Sequence, residues 1–247
     1  SAPRWWVALS GGADSVALLY ALTALAAEQS TPAIHAIHVN HKLHPDAGEW
    51  SQLCQRHADA LRVPLVIADC EVSSSGRGLE ADARRERYNA FEQVLEQDEV
   101  LFMAHHVDDQ VETVLLRLLR GAGPRGLAGI PQQRSCGAGR ILRPFLQVSS
   151  GKLRAAVEAA GLEYVRDPSN FELKRDRNYL RHVVLPAISE RWPAYRETVT
   201  RAAELQVMTQ ERLSKMPVKR TETVMGERAL AVDRASDPPQ LAAAIHQ

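Results

Sequence analysis

The sequence has few cysteines and no long apolar run, and both absences narrow the class of protein. Its 247 residues include three cysteines, Cys54, Cys70 and Cys136, without C-x-x-C spacing. Neither a disulfide framework nor a cysteine zinc site is therefore indicated, and a reducing cytosol is the favoured compartment. No apolar segment approaches the roughly 20 residues of a membrane helix, and the N-terminus lacks a signal-peptide pattern. We expect a cytoplasmic protein with no membrane contact.

The chain also lacks net charge, because 30 basic residues balance 30 acidic ones, but the charges are unevenly placed. Residues 1–109 carry 8 basic and 16 acidic residues, residues 110–154 carry 8 basic residues and Glu112 alone, and residues 171–220 carry 11 basic and 6 acidic ones. The middle and later parts therefore have the charge to meet a polyanion. Arginine-rich loops that simply face solvent would give the same pattern.

Apolar runs alternate with helical patterns along the first two thirds of the chain. Predicted strands cover residues 5–9, 34–40, 65–68, 100–104 and 141–146, and predicted helices cover 15–28, 46–61, 79–97, 108–120 and 149–160. Asp46 and Glu49 offer a capping box for the second helix, and Gly161 ends the last one. This alternation predicts an α/β fold, a doubly wound, Rossmann-like parallel sheet. Residues 121–139, rich in Gly, Pro and Arg, are expected to form an irregular loop.

The turn after the first predicted strand carries a specific local pattern. S-G-G-A-D-S, residues 10–15, puts two glycines and two hydroxyls at a helix N-terminus, where backbone amides and the helix dipole bind phosphate. The pattern is neither a Walker A motif nor G-x-G-x-x-G. Asp14 would repel a phosphate unless a divalent cation bridges the two, so the turn predicts Mg²⁺. The structural alternative is that Asp14 caps the helix.

A second polar cluster, A-H-H-V-D-D-Q-V-E-T at residues 104–113, lies where the fourth strand ends and a helix begins. Asp108 and Glu112 are four residues apart and Asp109 and Glu112 three, so both pairs can share a helix face. Carboxylates near the positive end of a helix suit a cation, either Mg²⁺ or the ammonium group of an amine. Two histidines with two aspartates also fit a zinc or manganese hydrolase, although no second His/Asp cluster completes such a site.

The turn S-G-G-A-D-S resembles the pyrophosphate loop S-G-G-x-D-S of the N-type ATP pyrophosphatases. Four further stretches resemble, in order, motifs of the tRNA(Ile)-lysidine synthase family: I-H-V-N-H-K-L-H-P (37–45), G-R-G-L-E-A-D-A-R (76–84), L-L-R-G-A-G-P-R-G-L-A-G-I (118–130) and Y-V-R-D-P-S-N-F-E-L-K-R-D-R-N-Y-L-R-H-V-V-L-P (164–186). His44 stands where that family usually has Arg, Gly78 where it has Asn, and Asp82 where it has Ala. The resemblance covers residues 7–186, which is most of the chain.

This resemblance implies a ligase that uses ATP and Mg²⁺ to join L-lysine to a tRNA base. The ε-amine of lysine would be attached to C2 of the wobble cytidine (position 34) of tRNA(Ile) with a CAU anticodon, through an adenylated cytidine and with release of AMP and pyrophosphate. Asp14 and Asp109 would hold Mg²⁺, Asp109 and Glu112 would bind the amine, and His106 would accept its proton. Arg84 and Arg177 would neutralise phosphate charge. The implied ATP contacts are Ser10, Gly11, Gly12, Ala13, Asp14 and Ser15 for the phosphates and the backbone of Val39 for adenine.

The resemblance also guides the predicted organisation of the chain. Residues 1–190 are the predicted catalytic domain of the ATP pyrophosphatase type, residues 191–216 a helical linker, and residues 217–247 the start of a truncated C-terminal domain that binds tRNA. Arginines in or beside the predicted loop are expected to contact RNA phosphates: Arg117, Arg120, Arg125, Arg134, Arg140 and Arg143. A homodimer, with Trp5 or Trp192 at its contact, is left open.

Two other functions fit parts of the pattern. One is a sulfur-transferring tRNA enzyme on the same fold, but such enzymes commonly need paired cysteines, and none is suitably spaced here. The other is a non-catalytic module that senses ATP, which would leave the acidic cluster and the arginine-rich loop without a task.

Overall fold

The computed structural model describes residues 2–70, 78–214, 220–222 and 228–230. The chain divides into two compact units: a sheet unit of Ser1–Glu112 and Ile130–Ala187, and a helical unit of Thr113–Gly129 and Ile188–Gln247. The predicted domain boundaries at residues 190 and 216 stay predictions. Most of the predicted C-terminal domain, residues 217–247, lies outside the described residues. Residues 76 and 77 of the stretch G-R-G-L-E-A-D-A-R (76–84) also lie outside them.

The elements of the described chain follow one another largely as the hydrophobic pattern predicts. In chain order they are β1 (Arg4–Ala8), α1 (Ala13–Glu28), β2 (Ala33–Asn40), α2 (Ala47–Ala60), β3 (Leu65–Asp69), α3 (Leu79–Val94), β4 (Val100–Phe102), α4 (Val107–Leu119), α5 (Pro124–Leu127), β5 (Gln133–Cys136), β6 (Gly139–Leu142), α6 (Ser150–Ala159), a 3₁₀ turn (Pro168–Phe171), α7 (Asp176–Tyr179), a π-helical turn (Leu180–Val184), α8 (Leu185–Arg191), α9 (Tyr195–Ser214), β7 (Arg220–Glu222) and β8 (Arg228–Leu230).

The sheet unit contains one six-stranded sheet of order β3-β2-β1-β4-β6-β5 among its described residues. The pairs β1–β2, β1–β4, β2–β3 and β4–β6 are parallel, which confirms the predicted α/β class. The carboxyl ends of β1, β2 and β4 therefore meet at one edge of the sheet, where ligands of such folds bind.

The prediction of an irregular loop over residues 121–139 is wrong, because β5 lies within it and pairs antiparallel with β6. Its first three residues are exposed, so the edge strand lacks the apolar alternation that would have indicated it. Gly137, at φ +53°, lies in the tight turn that joins the two strands. A Cβ at Gly139 would lie 2.6 Å from the Glu99 carbonyl oxygen, so this hairpin packs where only glycine fits.

The core of the sheet unit lies on both faces of β1. Val7 packs with residues of α1 such as Leu18 and Leu19 on one face, whereas Trp6 packs with Phe91 and other residues on the opposite face. Successive side chains of a strand point to opposite faces, so adjacent apolar residues in β1 serve both layers. Trp5 packs edge-on against Phe102, with ring centroids 5.1 Å apart.

Helix ends follow the sequence predictions unevenly. Ser149 caps α6 by accepting the N–H of Lys152, and Gly161 follows that helix at φ +66°, as predicted. The predicted capping box of α2 is wrong, because Asp46 makes no side-chain cap hydrogen bond. Its N–H instead donates to Nδ1 of His44 (3.2 Å), so a local histidine takes part in the turn.

The helical unit contains α5 and α9, and α9 lies within residues 191–216, for which the sequence predicts helical structure. Nη1 of Arg117 donates to the carbonyls of Gly126 (2.9 Å) and Gly129 (2.8 Å). This arginine therefore stabilises the loop that follows its own helix. Within the described part of the chain, no helix is both long enough and apolar enough to cross a membrane.

Candidate active site

The turn between β1 and α1 has a shape that requires glycine at position 11. Gly11 has φ +84°, and a Cβ there would lie 3.0 Å from Cγ2 of Val165 and 3.3 Å from Sγ of Cys54. The Gly11 carbonyl accepts the N–H of Val165 (2.9 Å). Gly12 is the N-cap of α1 in an extended conformation, so the first amides of the helix face the space beyond the turn. This is the backbone geometry of an anion site at a helix N-terminus.

Two hydroxyls stabilise the turn from within. Oγ of Ser15 donates to the Gly12 carbonyl (2.9 Å) and accepts the N–H of Ser10 (3.1 Å). Oγ of Ser10 is therefore the donor to Oγ of Ser15 (3.1 Å), and it also accepts the N–H of Gly12 (3.4 Å). All partners in this network lie within residues 10–15, so the local sequence alone builds the curvature of the turn.

The junction between β4 and α4 brings three carboxylates around His106. Its Nε2 lies 3.6 Å from Oδ2 of Asp14 and 3.4 Å from Oδ2 of Asp109, and its Nδ1 lies 3.7 Å from Oδ2 of Asp108. The N–H of Asp109 donates to Nδ1 (3.3 Å), and its carboxylate accepts the N–H of His106 (3.1 Å). The helix cap is Gly12, so the alternative that Asp14 caps α1 is wrong. Three of the predicted site residues thus lie together.

Burial and the nearby carboxylates have opposite effects on the pKa of His106. Burial lowers the pKa of His106, but the hydrogen bond with Asp14 and the negative charges of Asp109, Asp14 and Asp108 raise it more, and the net pKa lies above its usual 6.5. A protonated ring would hold Asp14 and Asp109 together, whereas a neutral ring would be available to accept a proton.

Glu112 is held by two arginines. Its side chain is 0% exposed, and its oxygens accept from Nε of Arg177 (2.8 Å) and from both Nε (2.6 Å) and Nη2 (2.9 Å) of Arg181. The same arginines face Asp109, with Nη2 of Arg181 3.6 Å from its Oδ1 and Nη2 of Arg177 at 4.0 Å. The sequence predicts that Glu112 binds a substrate amine, but in the structure its carboxylate positions two guanidinium groups. Asp109 is the more exposed of the two carboxylates.

Asp108 does not share the helix face that the i,i+4 spacing predicts. Its Oδ2 accepts both the N–H and the hydroxyl of Ser150 (2.9 Å each). These bonds tie the start of α4 to the start of α6. Asp108 is therefore a structural carboxylate that also contributes charge to His106, whereas Asp109 and Glu112 share the face turned to the arginines.

Arg84 lies on α3 with its Nη2 3.4 Å from the hydroxyl of Tyr88. The charges of Arg84 and Arg177 both act on His105. Nδ1 of His105 accepts from Nε of Arg143 (3.2 Å). The pKa of His105 is lowered to about 4, mainly by burial; the charge of Asp109 raises it, and those of Arg143, Arg84 and Arg177 lower it. His105 is therefore neutral at neutral pH, and both predicted phosphate-binding arginines contribute positive charge around it.

Val39 lies near the carboxyl end of β2. The carbonyl of Ile37 accepts the N–H of Leu9 on the β1 side, whereas Ala36 and Asn40 bond toward β3. Backbone groups alternate in direction along a strand, so those of Val39 point to the same side as those of Ile37, toward the end of β1. Both ring nitrogens of the nearby His41 are buried and lack a described partner. This end of β2 therefore presents polar groups near the glycine turn.

Asp14 and Asp109 are the residues that fit Mg²⁺. Their Oδ2 atoms lie within 3.6 Å of one nitrogen, Nε2 of His106. Among the described residues, no group of three or more His, Cys, Asp or Glu side chains is arranged to hold a metal ion. Mg²⁺ is typically bound by one or two carboxylates, water and substrate phosphates, which matches a pair of aspartates beside an anion-binding turn.

Sequence reasoning missed Arg181, His105 and the role of Arg143. Arg181 ends the stretch R-N-Y-L-R (177–181) and lies one helical turn after Arg177. The i,i+4 spacing therefore indicates that the two arginines share a face, although not that this face meets Glu112. Arg143 is 2% exposed, and its Nη1 donates to the Pro131 carbonyl (2.7 Å). The sequence predicts that Arg143, beside the loop, contacts RNA phosphates, and nothing local indicates its burial.

Comparisons with known proteins place this site in a family. Residues 1–188 match the family profile of the PP-loop domain. The chain is similar to the tRNA(Ile)-lysidine synthases of Alkalilimnicola ehrlichii (47% identical, over 82% of this chain and 45% of the relative), Pseudomonas putida (45% identical, over 83% and 48%) and Serratia proteamaculans (39% identical, over 92% and 52%). The chain thus spans about half the length of the curated relatives it matches.

A solved structure shares the architecture at low identity. The U34-tRNA thiolase NcsA from Methanococcus maripaludis, solved with its [4Fe-4S] cluster, matches with a TM-score of 0.68 and 14% identity, over 84% of this chain and 74% of that one. At this identity the match supports the fold alone. The profile match over residues 1–188 covers most of the sequence, and with the glycine turn at its expected place the chain belongs to the PP-loop domain family.

Proposed function

We propose that this chain catalyses the ATP-dependent ligation of L-lysine to C2 of the wobble cytidine of tRNA(Ile) with a CAU anticodon. The observation that carries the proposal is the convergence of Asp14, from the glycine turn, and Asp109, from the β4–α4 junction, on Nε2 of His106. A phosphate-binding turn and an amine-binding carboxylate would share one site. The identity of up to 47% to tRNA(Ile)-lysidine synthases supports the same reaction.

The glycine turn would bind the β- and γ-phosphates of ATP. The curvature at Gly11 directs the first amides of α1 away from the helix, and the hydroxyls of Ser10 and Ser15 lie beside them. Backbone amides at a helix N-terminus stabilise negative charge without a lysine side chain. Asp14 and Asp109 would hold Mg²⁺, which would neutralise part of the phosphate charge when bound. The backbone of Val39 would contact adenine.

The activation step makes the cytidine C2 carbonyl a better electrophile. O2 of cytidine would attack the α-phosphorus of ATP, the bond to the bridging oxygen would break, and pyrophosphate would leave with that electron pair. The protein contributes mainly position and positive charge to such a transfer. Arg177 forms an ion pair with Glu112. The positive charges of Arg177 and Arg84 both lower the pKa of His105. We assign both arginines to phosphate charge.

The ligation step needs an uncharged amine. The ε-ammonium of lysine has a pKa of about 10.4 and is not nucleophilic until it loses a proton. Asp109 would bind the ammonium group, and His106, next to it, would accept the proton. The nitrogen would then attack C2, and the C2–O bond would break with AMP as the leaving group. Glu112 acts through Arg177 and Arg181 as a positioning residue.

The target base of the proposed substrate can reach a site at the edge of a sheet. A wobble base lies in a single-stranded loop, so it can be splayed out without breaking a duplex.

The cytosol, where disulfides are rare, suits a chain whose three cysteines are free. A homodimer stays a prediction, which sedimentation of the chain would test.

The direct test is mass analysis of a CAU-anticodon RNA after incubation with the chain, ATP, Mg²⁺ and isotope-labelled lysine. The proposal expects the mass of one lysine less one water on the wobble cytidine, with no lysine addition when ATP or lysine is omitted. An RNA with a different anticodon is the matched control. An unmodified CAU-anticodon RNA under conditions where the chain binds it would contradict the proposal.

The described cysteines do not favour a sulfur-transfer reaction. Cys54 and Cys136 are buried, and burial raises the pKa of the Cys54 thiol to about 12. Burial also raises the pKa of Cys70 and of Cys136, with further contributions from nearby carboxylates. Reactive cysteines instead need a lowered pKa. Lysine-dependent release of pyrophosphate separates ligation from sulfur transfer and from ATP sensing.

A further inference from the structure

The ring of Tyr88, on α3, lies close to two guanidinium groups. The Arg84 guanidinium carbon lies 5.1 Å from the centroid of its ring, and the Arg134 guanidinium carbon, from the edge strand β5, lies 4.1 Å from it. Nη2 of Arg84 also donates to the Tyr88 hydroxyl (3.4 Å). An aromatic face attracts a cation through its quadrupole, so one ring aligns two arginines that would otherwise repel each other.

A third guanidinium group, that of Arg143, is buried beside the same tyrosine. It donates to Nδ1 of His105 (3.2 Å) and to the Pro131 carbonyl (2.7 Å). Burial lowers the pKa of Arg143, Tyr88 opposes this, and the charges of Arg134 and Arg84 lower it further. We refer to Arg84, Tyr88, Arg134 and Arg143 as the Tyr88 arginine cluster.

This cluster differs from the arginines that face Glu112. No carboxylate whose side chain the structure describes forms an ion pair with Arg84, Arg134 or Arg143, although Arg177 and Arg181 are both neutralised by Glu112. Three like charges that lie together with no ion-pair partner among the described carboxylates, one of them buried, are electrostatically unfavourable. An anion that binds among the three guanidinium groups would reduce their mutual repulsion.

We propose that Arg134, held in the Tyr88 arginine cluster, binds a phosphodiester group of the RNA substrate. Arg84 keeps the role assigned above, at the phosphate that is transferred. The inference rests on the proposed function and adds a place where the RNA backbone is held. Planar guanidinium groups donate two parallel hydrogen bonds to phosphate oxygens, and stacking on an aromatic ring orients the plane of the group. Arg143 would contribute positive charge without contacting the phosphate, because it is buried and its hydrogen bonds go to His105 and Pro131.

The position of the cluster favours a polymer over ATP as the source of the phosphate. Arg134 lies on β5, three strands from β1 in the sheet, which is about 14 Å at the usual strand spacing. The glycine turn follows β1, so the two sites are separate. Arg134 is exposed on the outermost strand, where a polynucleotide has access. Arg143 of the cluster donates to His105, and His105 precedes His106 of the reaction site in the chain.

The test compares Arg134→Ala with Arg140→Ala. Both arginines are exposed on the same hairpin, and Arg134 pairs with Ile141, the residue next to Arg140. Because adjacent residues alternate in direction, Arg140 lies on the opposite face, away from the cluster. The sequence alone predicts RNA contact for both arginines, so Arg140→Ala is the matched comparison that separates the cluster from a general effect of positive charge on this hairpin. RNA affinity is measured by titration of a CAU-anticodon RNA at several salt concentrations, and ATP affinity is measured by calorimetry.

We expect Arg134→Ala to weaken RNA binding about 3- to 10-fold near 0.1 M salt and to reduce the slope of log affinity against log salt by about one. Arg140→Ala is expected to keep the wild-type slope, and both variants are expected to bind ATP as the wild type does. Tyr88→Phe keeps the ring and is expected to keep most of the RNA affinity. Tyr88→Leu removes the ring and is expected to lose as much as Arg134→Ala.

Several outcomes would overturn the proposal. An unchanged slope in Arg134→Ala, or equal losses in Arg134→Ala and Arg140→Ala, would show that the cluster holds no particular RNA phosphate. A loss of ATP or pyrophosphate affinity with unchanged RNA affinity would assign the cluster to the nucleotide instead. Far-UV circular dichroism and the urea midpoint confirm that each variant is folded. Binding is measured without turnover, so a failure of lysine transfer in the wild type would contradict the proposed function and leave this comparison readable.

Discussion

The two strand-to-helix junctions that form the site are built in different ways. The turn after β1 is made from hydroxyls and backbone groups of residues 10–15, and no side-chain charge takes part in its internal hydrogen bonds. The junction after β4 is made from charged side chains, and Glu112 and Asp109 contact Arg177 and Arg181 from more than sixty residues later. The first junction offers rigid dipoles, and the second offers charges that a distant segment holds in place.

This difference separates two tasks of the site. Fixed dipoles at a helix N-terminus are suited to phosphates, which change little in position during transfer. Movable protons and balanced charges are suited to an amine that must be bound as a cation and react as a base. Asp14 connects the tasks, because it belongs to the turn and contacts His106 of the second junction.

The largest expected effect comes from removing the less buried carboxylate of the charged junction, that of Asp109. Asp109→Asn removes the charge that faces both the amine and the proposed Mg²⁺, so we expect lysine transfer to fall by about 100-fold or more. Radiolabelled lysine incorporation into RNA measures it. Asp59→Asn, an exposed carboxylate on α2, is the control and should keep wild-type activity. Near-normal transfer by a folded Asp109→Asn variant would exclude this residue from the mechanism.

Removing the buried carboxylate tests the support of that junction. Glu112→Gln leaves two guanidinium groups with only the more distant charge of Asp109, and we expect the free energy of unfolding to fall by about 1–3 kcal/mol, with slower transfer. The guanidinium groups reach solvent, which keeps the loss below that of a fully buried pair. Glu163→Gln, which breaks the exposed pair with Arg56, should cost less than about 1 kcal/mol. Equal urea midpoints for the two variants would contradict the account.

The glycine turn can be tested by two neighbouring substitutions. Gly11→Ala places a Cβ at φ +84° against Val165, and we expect it to cost about 1–2 kcal/mol of stability and to weaken ATP binding. Gly12→Ala is the matched control, because Gly12 has φ −69° and a Cβ there would lie 3.6 Å from its nearest neighbour, Oγ of Ser10. Thermal unfolding of both variants checks this, and similar losses would show that the left-handed turn is not the constraint.

The smallest expected effect concerns the pH dependence of the second junction. The raised pKa of His106 favours its protonated form, so its contribution to stability is complete below pH 6.5 and is lost as the pH rises through the raised value. Proton acceptance needs the neutral ring, so transfer should increase with pH through the same range. Asp108→Asn keeps an acceptor for Ser150 but removes one negative charge near His106. Its rising limb should move to lower pH, and a rate profile that coincides with the wild type would exclude His106 as the base.

The parts of the fold that the sequence predicts are those with local causes. The parallel order of strands, the glycine turn and the end of α6 at Gly161 follow from periodicity and from the conformational demands of glycine. The edge strand β5 was missed because its exposed polar residues show no alternation. The role of Glu112 and the burial of Arg143 depend on partners distant in sequence, and no local pattern indicates which of several arginines will reach them.

The central claim is that the glycine turn holds the outer phosphates of ATP and leaves the α-phosphate open to attack. The most direct measurement follows ATP labelled at the α-phosphate during lysine transfer to a CAU-anticodon RNA. The account predicts one labelled AMP, and one pyrophosphate, for each lysine joined. Labelled ADP as the product of turnover would contradict it.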